Sequence, residues 1–331
     1  MAAPALSSRR PRRRNSASGP DAGMRSILIL IPYFGRWPEW FPLYLESCRA
    51  NPSVHWRFFT DCPLPLDPPS NVGFERTDFG AYCDRVSECL GVDFKPARAY
   101  KVCDLRPAFG EIHAEAIAGY DYYGYGDVDV IYGDIRRFYD DRVLSHLCVS
   151  SHWDRFSGHF TLLSNQPGVR SAFRRIPNWS QSIADPEYRA LDESKFAKVF
   201  LRHRKHPQWL RRLYRFVDPL QGRGYFKEQH STILSPKPWW DGSLEHPEVW
   251  YWRNGRLTNA RDGEREFPYL HFMNWKSASW LPKFRGERAA WDGLEPLNHV
   301  PAGREWEGFR IDRSGFHPLG DPAKGEVEAE R

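Results

Sequence analysis

The run Ile27-Leu28-Ile29-Leu30-Ile31 is apolar at every position and stops at Pro32. With no polar alternation, residues 25–34 predict a strand covered on both faces, as in a parallel sheet. Gly35 breaks the run. Pro38 and Glu39 then suit the start of a helix, in which Trp40, Phe41, Tyr44, Leu45 and Cys48 recur at helical spacing. A second strand is predicted at Val54–Thr60, closed by Asp61. Strand, helix and strand in close succession open an α/β sheet.

Beyond this unit, residues 82–90 and 98–118 carry helical patterns. In the second, Ala108, Ile112, Ala116 and Ile117 form an apolar stripe and Pro107 is expected to kink or divide the helix. Strands are expected at 120–125 and 158–163. Residues 207–217 suit an amphipathic helix with Trp209, Leu210, Leu213, Phe216 and Val217 on one face. Asn254-Gly255 marks a hairpin turn within 249–258, and 267–272 reads as a further strand. These elements predict one domain over residues 25–291. It is preceded by a disordered basic tail (1–24) and followed by a polar, partly disordered extension (292–331) that wraps the surface.

Composition narrows the class without naming a chemistry. With 41% hydrophobic and 27% charged residues, the chain suits a soluble globular protein. No apolar run approaches the ~18–20 residues of a membrane span, and no small-residue cleavage site follows Ile27–Ile31, so a cytoplasmic location is expected. The six cysteines form no C-x-x-C pair, which argues against a disulfide framework or structural zinc. Of the net charge of +5, most comes from Arg9, Arg10, Arg12, Arg13 and Arg14, opposed within the tail by Asp21 alone. The near-neutral remainder gives no basis for nucleic-acid binding. Met24, directly before the first strand, is a candidate start of translation. Residues 202–215 concentrate six basic side chains on and before the amphipathic helix, a pattern suited to a solvated face, an anionic lipid surface or a phosphate-bearing acceptor. Peripheral contact with the inner face of a membrane is expected on the lipid reading.

The candidate chemistry centres on Gly124-Tyr125-Gly126-Asp127-Val128-Asp129, continuing to Gly133-Asp134. Two carboxylates at i and i+2 after a strand can both reach a hard divalent cation, which prefers oxygen ligands and leaves positions open for phosphate. Glycines on either side let backbone approach a ligand closely. Open α/β sheets bind ligands beyond the carboxyl ends of their strands, where this segment should lie. A solvated acidic turn is the plain alternative.

Upstream, Ala99-Tyr100-Lys101-Val102-Cys103-Asp104-Leu105-Arg106 resembles the donor-holding helix of GT-A glycosyltransferases, most closely the glycogenin-like and initiating-mannosyltransferase-like families. The late segment Leu270-His271-Phe272-Met273-Asn274-Trp275-Lys276 is similar to the His-x-x-x-x-Lys motif of glycogenin-like enzymes. The chain also looks like a bacterial glycosyltransferase-like family linked to surface polysaccharide synthesis and long labelled a domain of unknown function. The likeness spans about residues 25–280 and is most specific over 100–134. It implies a single-domain α/β fold of GT-A type, a Rossmann-like mixed sheet flanked by helices.

The resemblance further implies a Mn²⁺ or Mg²⁺ ion on Asp127, Asp129 and His271, with Lys276 on the diphosphate. Lys101, Asp104, Arg106 and Val128 would position a UDP- or GDP-linked sugar. Pro32, Tyr33, Thr60 and Asp61 fall where GT-A enzymes receive base and ribose, and Glu228 where an acidic or amide group faces the acceptor or the reacting sugar carbon. The implied reaction transfers a hexose, with retention, to a saccharide or lipid-linked saccharide. An ordinary reading stands beside each assignment: ion pairs on a helix surface for Lys101, Asp104 and Arg106, and core packing for His271 and Tyr33. Alternatives are a haloacid-dehalogenase-type phosphatase, whose motif opens D-x-D-x-V, a nucleotidyltransferase, and a non-catalytic sugar- or nucleotide-binding protein.

Overall fold

The central strand is the apolar run itself, Ile27–Pro32 (β1), flanked on both sides by parallel neighbours. Its side chains alternate between two cores. Leu28 and Leu30 meet Tyr82, Val86 and Leu90 on one face, and Ile27, Ile29 and Ile31 meet Phe41, Tyr44 and Leu45 on the other. Both faces are covered, which is why this strand carries no polar alternation.

The computed structural model describes residues 23–276 and 308–319. Around β1 lie Val54–Thr60 (β2), Val72–Arg76 (β3), Tyr122–Gly126 (β4), Cys148–Ser150 (β6), Phe160–Ser164 (β7) and Gly224–Phe226 (β8), in the order β3-β2-β1-β4-β7-β6-β8. Within this order β7 alone runs against its neighbours, making a mixed sheet with helices on its faces. The expected α/β class is therefore present. Val130–Tyr132 (β5) stands outside this sheet and pairs antiparallel with Tyr269–His271 (β11).

Helix α1 spans Phe41–Arg49, beginning after Pro38 and Glu39, with Pro42 in its first turn. Helix α2, Phe79–Leu90, starts earlier than its apolar pattern because Asp78 caps it, accepting from the Ala81 amide at 2.9 Å, and Gly91 at φ 66° ends it. Segment 98–118 is not the divided α-helix expected. It is a 3₁₀ helix over Ala99–Ala108 followed by one α-turn, Phe109–Ile112. Three residues per turn place i directly beneath i+3, so Lys101 stacks on Asp104.

Trp250–Arg253 (β9) and Arg256–Asn259 (β10) form the expected hairpin, with Asn254 at φ 48° and Gly255 at φ 84° in the turn. Phe309–Asp312 (β12) and Gly315–Pro318 (β13) join that sheet through β9 and bury Phe309 and Ile311. Packed structure thus continues past the expected boundary near Trp291, which, like tail residues 1–22, lies outside the described residues.

Candidate active site

Strand β4 carries the acidic segment to the carboxyl end of the central sheet. Gly124 is required there, since a Cβ would sit 2.5 Å from the Thr161 carbonyl of β7. The Asp127 amide donates to the His159 carbonyl at 3.3 Å, and the chain then turns into β5. Because β5 pairs with β11 in the register Val130↔His271, the late histidine is carried beside the acidic turn. The Phe272 amide donates to the Asp129 carbonyl at 3.2 Å and fastens the two segments together.

Asp127, Asp129 and His271 each offer a ligand atom within 4.8 Å of the others. His271 Nε2 lies 3.7 Å from Asp129 Oδ1, with both side chains nearly sealed from solvent. The opposite ring nitrogen, Nδ1, lies 3.2 Å from Thr232 Oγ1, so the ring is held by a second element with Nε2 turned toward Asp129. His159 stacks on His271 at 3.9 Å and hydrogen-bonds the Tyr269 hydroxyl at 2.9 Å. Burial, with the neighbouring His271, drives the His159 pKa well down, so it packs there as a neutral ring. Two carboxylates and an oriented imidazole are a donor set that suits a hard or borderline divalent ion.

Arg106 is the link from this cluster to the 3₁₀ helix. One guanidinium nitrogen contacts Asp127 and another donates to Asp192 Oδ2 at 2.8 Å. Asp192 lies in a single π-turn, Leu191–Lys195, and also accepts from the Tyr188 hydroxyl at 2.9 Å. Burial raises its pKa, with Arg106 acting in the opposite direction. Gly158 makes room for the fork: a Cβ there would stand 2.7 Å from Arg106 Nη1. Nothing in the sequence pattern singled out Asp192 or Thr232. Their partners lie 86 and 39 residues away, and Asp192-Glu193-Ser194-Lys195 reads as an exposed polar turn.

Lys101 and Asp104 differ from the expectation that they would hold a donor directly. Their side chains are 1% and 0% exposed and pair at 2.8 Å. The ammonium also donates to the Ser182 and Glu187 carbonyls at 2.7 and 2.8 Å, while Asp104 accepts from the Arg189 and Leu191 amides at 2.6 and 2.7 Å. The pair therefore fixes segment 182–191, which delivers Asp192 to Arg106. Its connection to the site is through the backbone.

The residues expected to meet a base and ribose fall into two groups. Tyr33 is half-buried and stacked on Trp37 at 5.1 Å, and Asp61 is exposed, accepting from the Gly35 amide at 2.7 Å. Thr60 is buried and accepts from the Cys62 amide, a turn-forming role, and Pro32 ends β1 beside it. Val128 is buried, and its carbonyl accepts from the Trp40 indole at 2.8 Å.

Glu228 is held by His152 Nδ1 at 3.0 Å and by Lys237 Nζ at 2.8 Å, and Lys237 also pairs with Asp154. Burial works against its charge, but these partners keep the carboxyl below its usual range. His152 sits 5.3 Å from the His159 ring, so Glu228 joins the His159–His271 stack at one remove. The Lys276 backbone ends a helical turn, Met273–Lys276; its side chain and Trp280 lie outside the described residues.

The profile of a family of unknown function, DUF6625, matches residues 29–285. The chain belongs to the DUF6625 family. No curated protein matches it by sequence. Among solved structures, this DUF6625 chain is similar to the galactosyltransferase LgtC in complex with donor and acceptor sugar analogues. That match has 10% identity, covers 80% of this chain and 90% of the other, and has a TM-score of 0.40. It is also similar to mouse xyloside xylosyltransferase 1 in its apo form, with 11% identity, 75% and 97% coverage and a TM-score of 0.37. A glycosyltransferase involved in glycosylation of the major capsid of PBCV-1 matches at 13% identity, with 63% and 84% coverage and a TM-score of 0.32. These likenesses are distant.

Proposed function

We propose that this DUF6625 chain is a metal-dependent glycosyltransferase of GT-A type, moving a sugar from a nucleoside diphosphate sugar to a saccharide-bearing acceptor. The observation that carries the reading is the Asp127, Asp129 and His271 cluster at the carboxyl end of the central sheet. The donor set fits Mn²⁺ or Mg²⁺: two carboxylates supply oxygen, and the tautomer in which Nδ1 donates to Thr232 presents Nε2. When bound, such an ion neutralises the diphosphate that leaves the sugar.

The protein's own groups do the rest. Arg106 pairs with Asp127 and is itself anchored by Asp192. Tyr33 and Asp61, at the ends of the neighbouring strands, offer an aromatic face and an acceptor for a base and ribose. Glu228, kept ionised by His152 and Lys237, is the candidate for facing the acceptor or the reacting carbon, and Lys276 the candidate cation for the diphosphate. Similarity to glycogenin-like enzymes extends the proposal to a UDP- or GDP-linked hexose, retention of configuration and a role in surface polysaccharide synthesis. The setting would be cytoplasmic, at the inner face of a membrane.

The phosphatase alternative is less well supported. Its D-x-D follows the first strand of the domain, and here β1, β2 and β3 all precede Asp127. A thermal-shift panel of nucleoside diphosphates and their sugars, with and without Mn²⁺, tests the proposal. A rise that needs both nucleotide and metal is expected, and no metal-dependent shift with any of them refutes it.

A further inference from the structure

Helix α3, Gln208–Val217, is the expected amphipathic helix, but the body does not cover its apolar face. No residue of the helix is buried. Trp209, Leu213, Phe216 and Val217 are 65%, 53%, 88% and 84% exposed. At 100° per residue these four share one arc, and Arg211, Arg215 and Arg212 follow on the next, with Arg212 at the edge beside Phe216. The helix touches the body chiefly through partly buried Leu210 and Tyr214, the latter stacked on His203 at 3.7 Å, and through Arg215 donating to the Gly222 carbonyl.

Arg202, Arg204 and Lys205 extend the cationic surface on the approach to the helix, and no acidic residue occurs between 202 and 217. A second copy of this chain would bring six like charges against six. An anionic bilayer instead satisfies both faces at once: aromatic and aliphatic side chains enter the headgroup boundary while arginines meet lipid phosphates. Among the described residues no helix is long and apolar enough to cross a membrane, so contact through this helix would be interfacial.

We propose that α3 is an interfacial anchor that docks this protein on anionic phospholipid. The helix also sets the protein's orientation. Arg211, with Trp153, His203 and Arg204, lines a cavity of about 310 Å³ against β8. Trp153 adjoins His152 and Asp154, the residues that reach the Glu228 and Lys237 network. Docking through α3 would place the mouth of that cavity at the headgroup plane. The anchor does not depend on the metal site.

Flotation of the full chain with phosphatidylcholine vesicles, with and without one-third phosphatidylglycerol, tests the anchor. All variants keep the N-terminal arginines. Binding only to the anionic vesicles is expected. The double replacement Arg211→Gln and Arg212→Gln should weaken it about 30-fold, from roughly 1 kcal/mol per basic residue. Phe216→Ser with Val217→Ser should also release the protein from vesicles, with its melting temperature unchanged because both side chains lie outside the packed body. Equal flotation of native and variant proteins would overturn the proposal. So would failure of the native chain to bind anionic vesicles, or a self-association in solution that the Phe216 and Val217 replacements abolish.

Discussion

Removing the Asp104 carboxylate should cost this protein stability rather than a ligand contact. The side chain is fully buried and accepts three hydrogen bonds: from Lys101, from the Arg189 amide and from the Leu191 amide. Asp104→Ala leaves a buried ammonium with two carbonyl partners and strands two backbone donors. Breaking a buried ion pair from one side costs about 3–5 kcal/mol. At roughly 2–4 °C per kcal/mol for a domain of this size, the melting temperature should fall by about 6–20 °C.

The control is Glu39→Ala, which removes the exposed Arg36–Glu39 pair and should change stability by less than about 1 kcal/mol. Differential scanning calorimetry of the three proteins, with nucleotide binding measured well below each transition, is the assay. An Asp104→Ala protein that melts with the native one but loses nucleotide affinity would refute the structural role and return the side chain to the donor site.

Other consequences can be checked separately. Thr232→Val removes the partner of His271 Nδ1 and should lower Mn²⁺ affinity about 10–100-fold by calorimetric titration, with little change in melting. Gly158→Ala presses a methyl group against Arg106 Nη1; a loss of about 1–3 kcal/mol in urea unfolding, together with weaker metal binding, is expected. His113 is buried beside Phe59 and the Tyr82 hydroxyl, and burial lowers its pKa from 6.5 to about 3. A base with a depressed folded pKa contributes its full stability above 6.5. That contribution is lost as pH falls toward 3, at up to about 1.4 kcal/mol per unit. His113→Asn should flatten this part of the stability–pH profile, and an unchanged slope would contradict the assignment.

The sequence announced what local pattern can encode. The unbroken apolar run of β1, the boundaries of β2, the Asn254-Gly255 turn and the spacing of Asp127 and Asp129 are all written within a few residues. The missed features are non-local. Strand β5 is three residues long, and its pairing with β11, more than 130 residues away, is what brings His271 to Asp129. Lys101, Asp104 and Arg106 have the charges of a solvated helix surface, and only the fold separates a buried structural pair from an arginine beside the acidic site. The α3 pattern predicted the helix correctly, but not that its apolar face would stay uncovered.

On the proposed reading, Asp127, Asp129 and His271 hold one divalent ion that also binds a nucleoside diphosphate. Electron paramagnetic resonance of Mn²⁺ tests it most directly, since the signal of the free aqueous ion is lost on binding. The native protein should remove that signal stoichiometrically and more tightly when UDP or GDP is present, and Asp129→Asn should remove little of it. No loss of free signal with native protein, or the same loss with Asp129→Asn, would contradict the account.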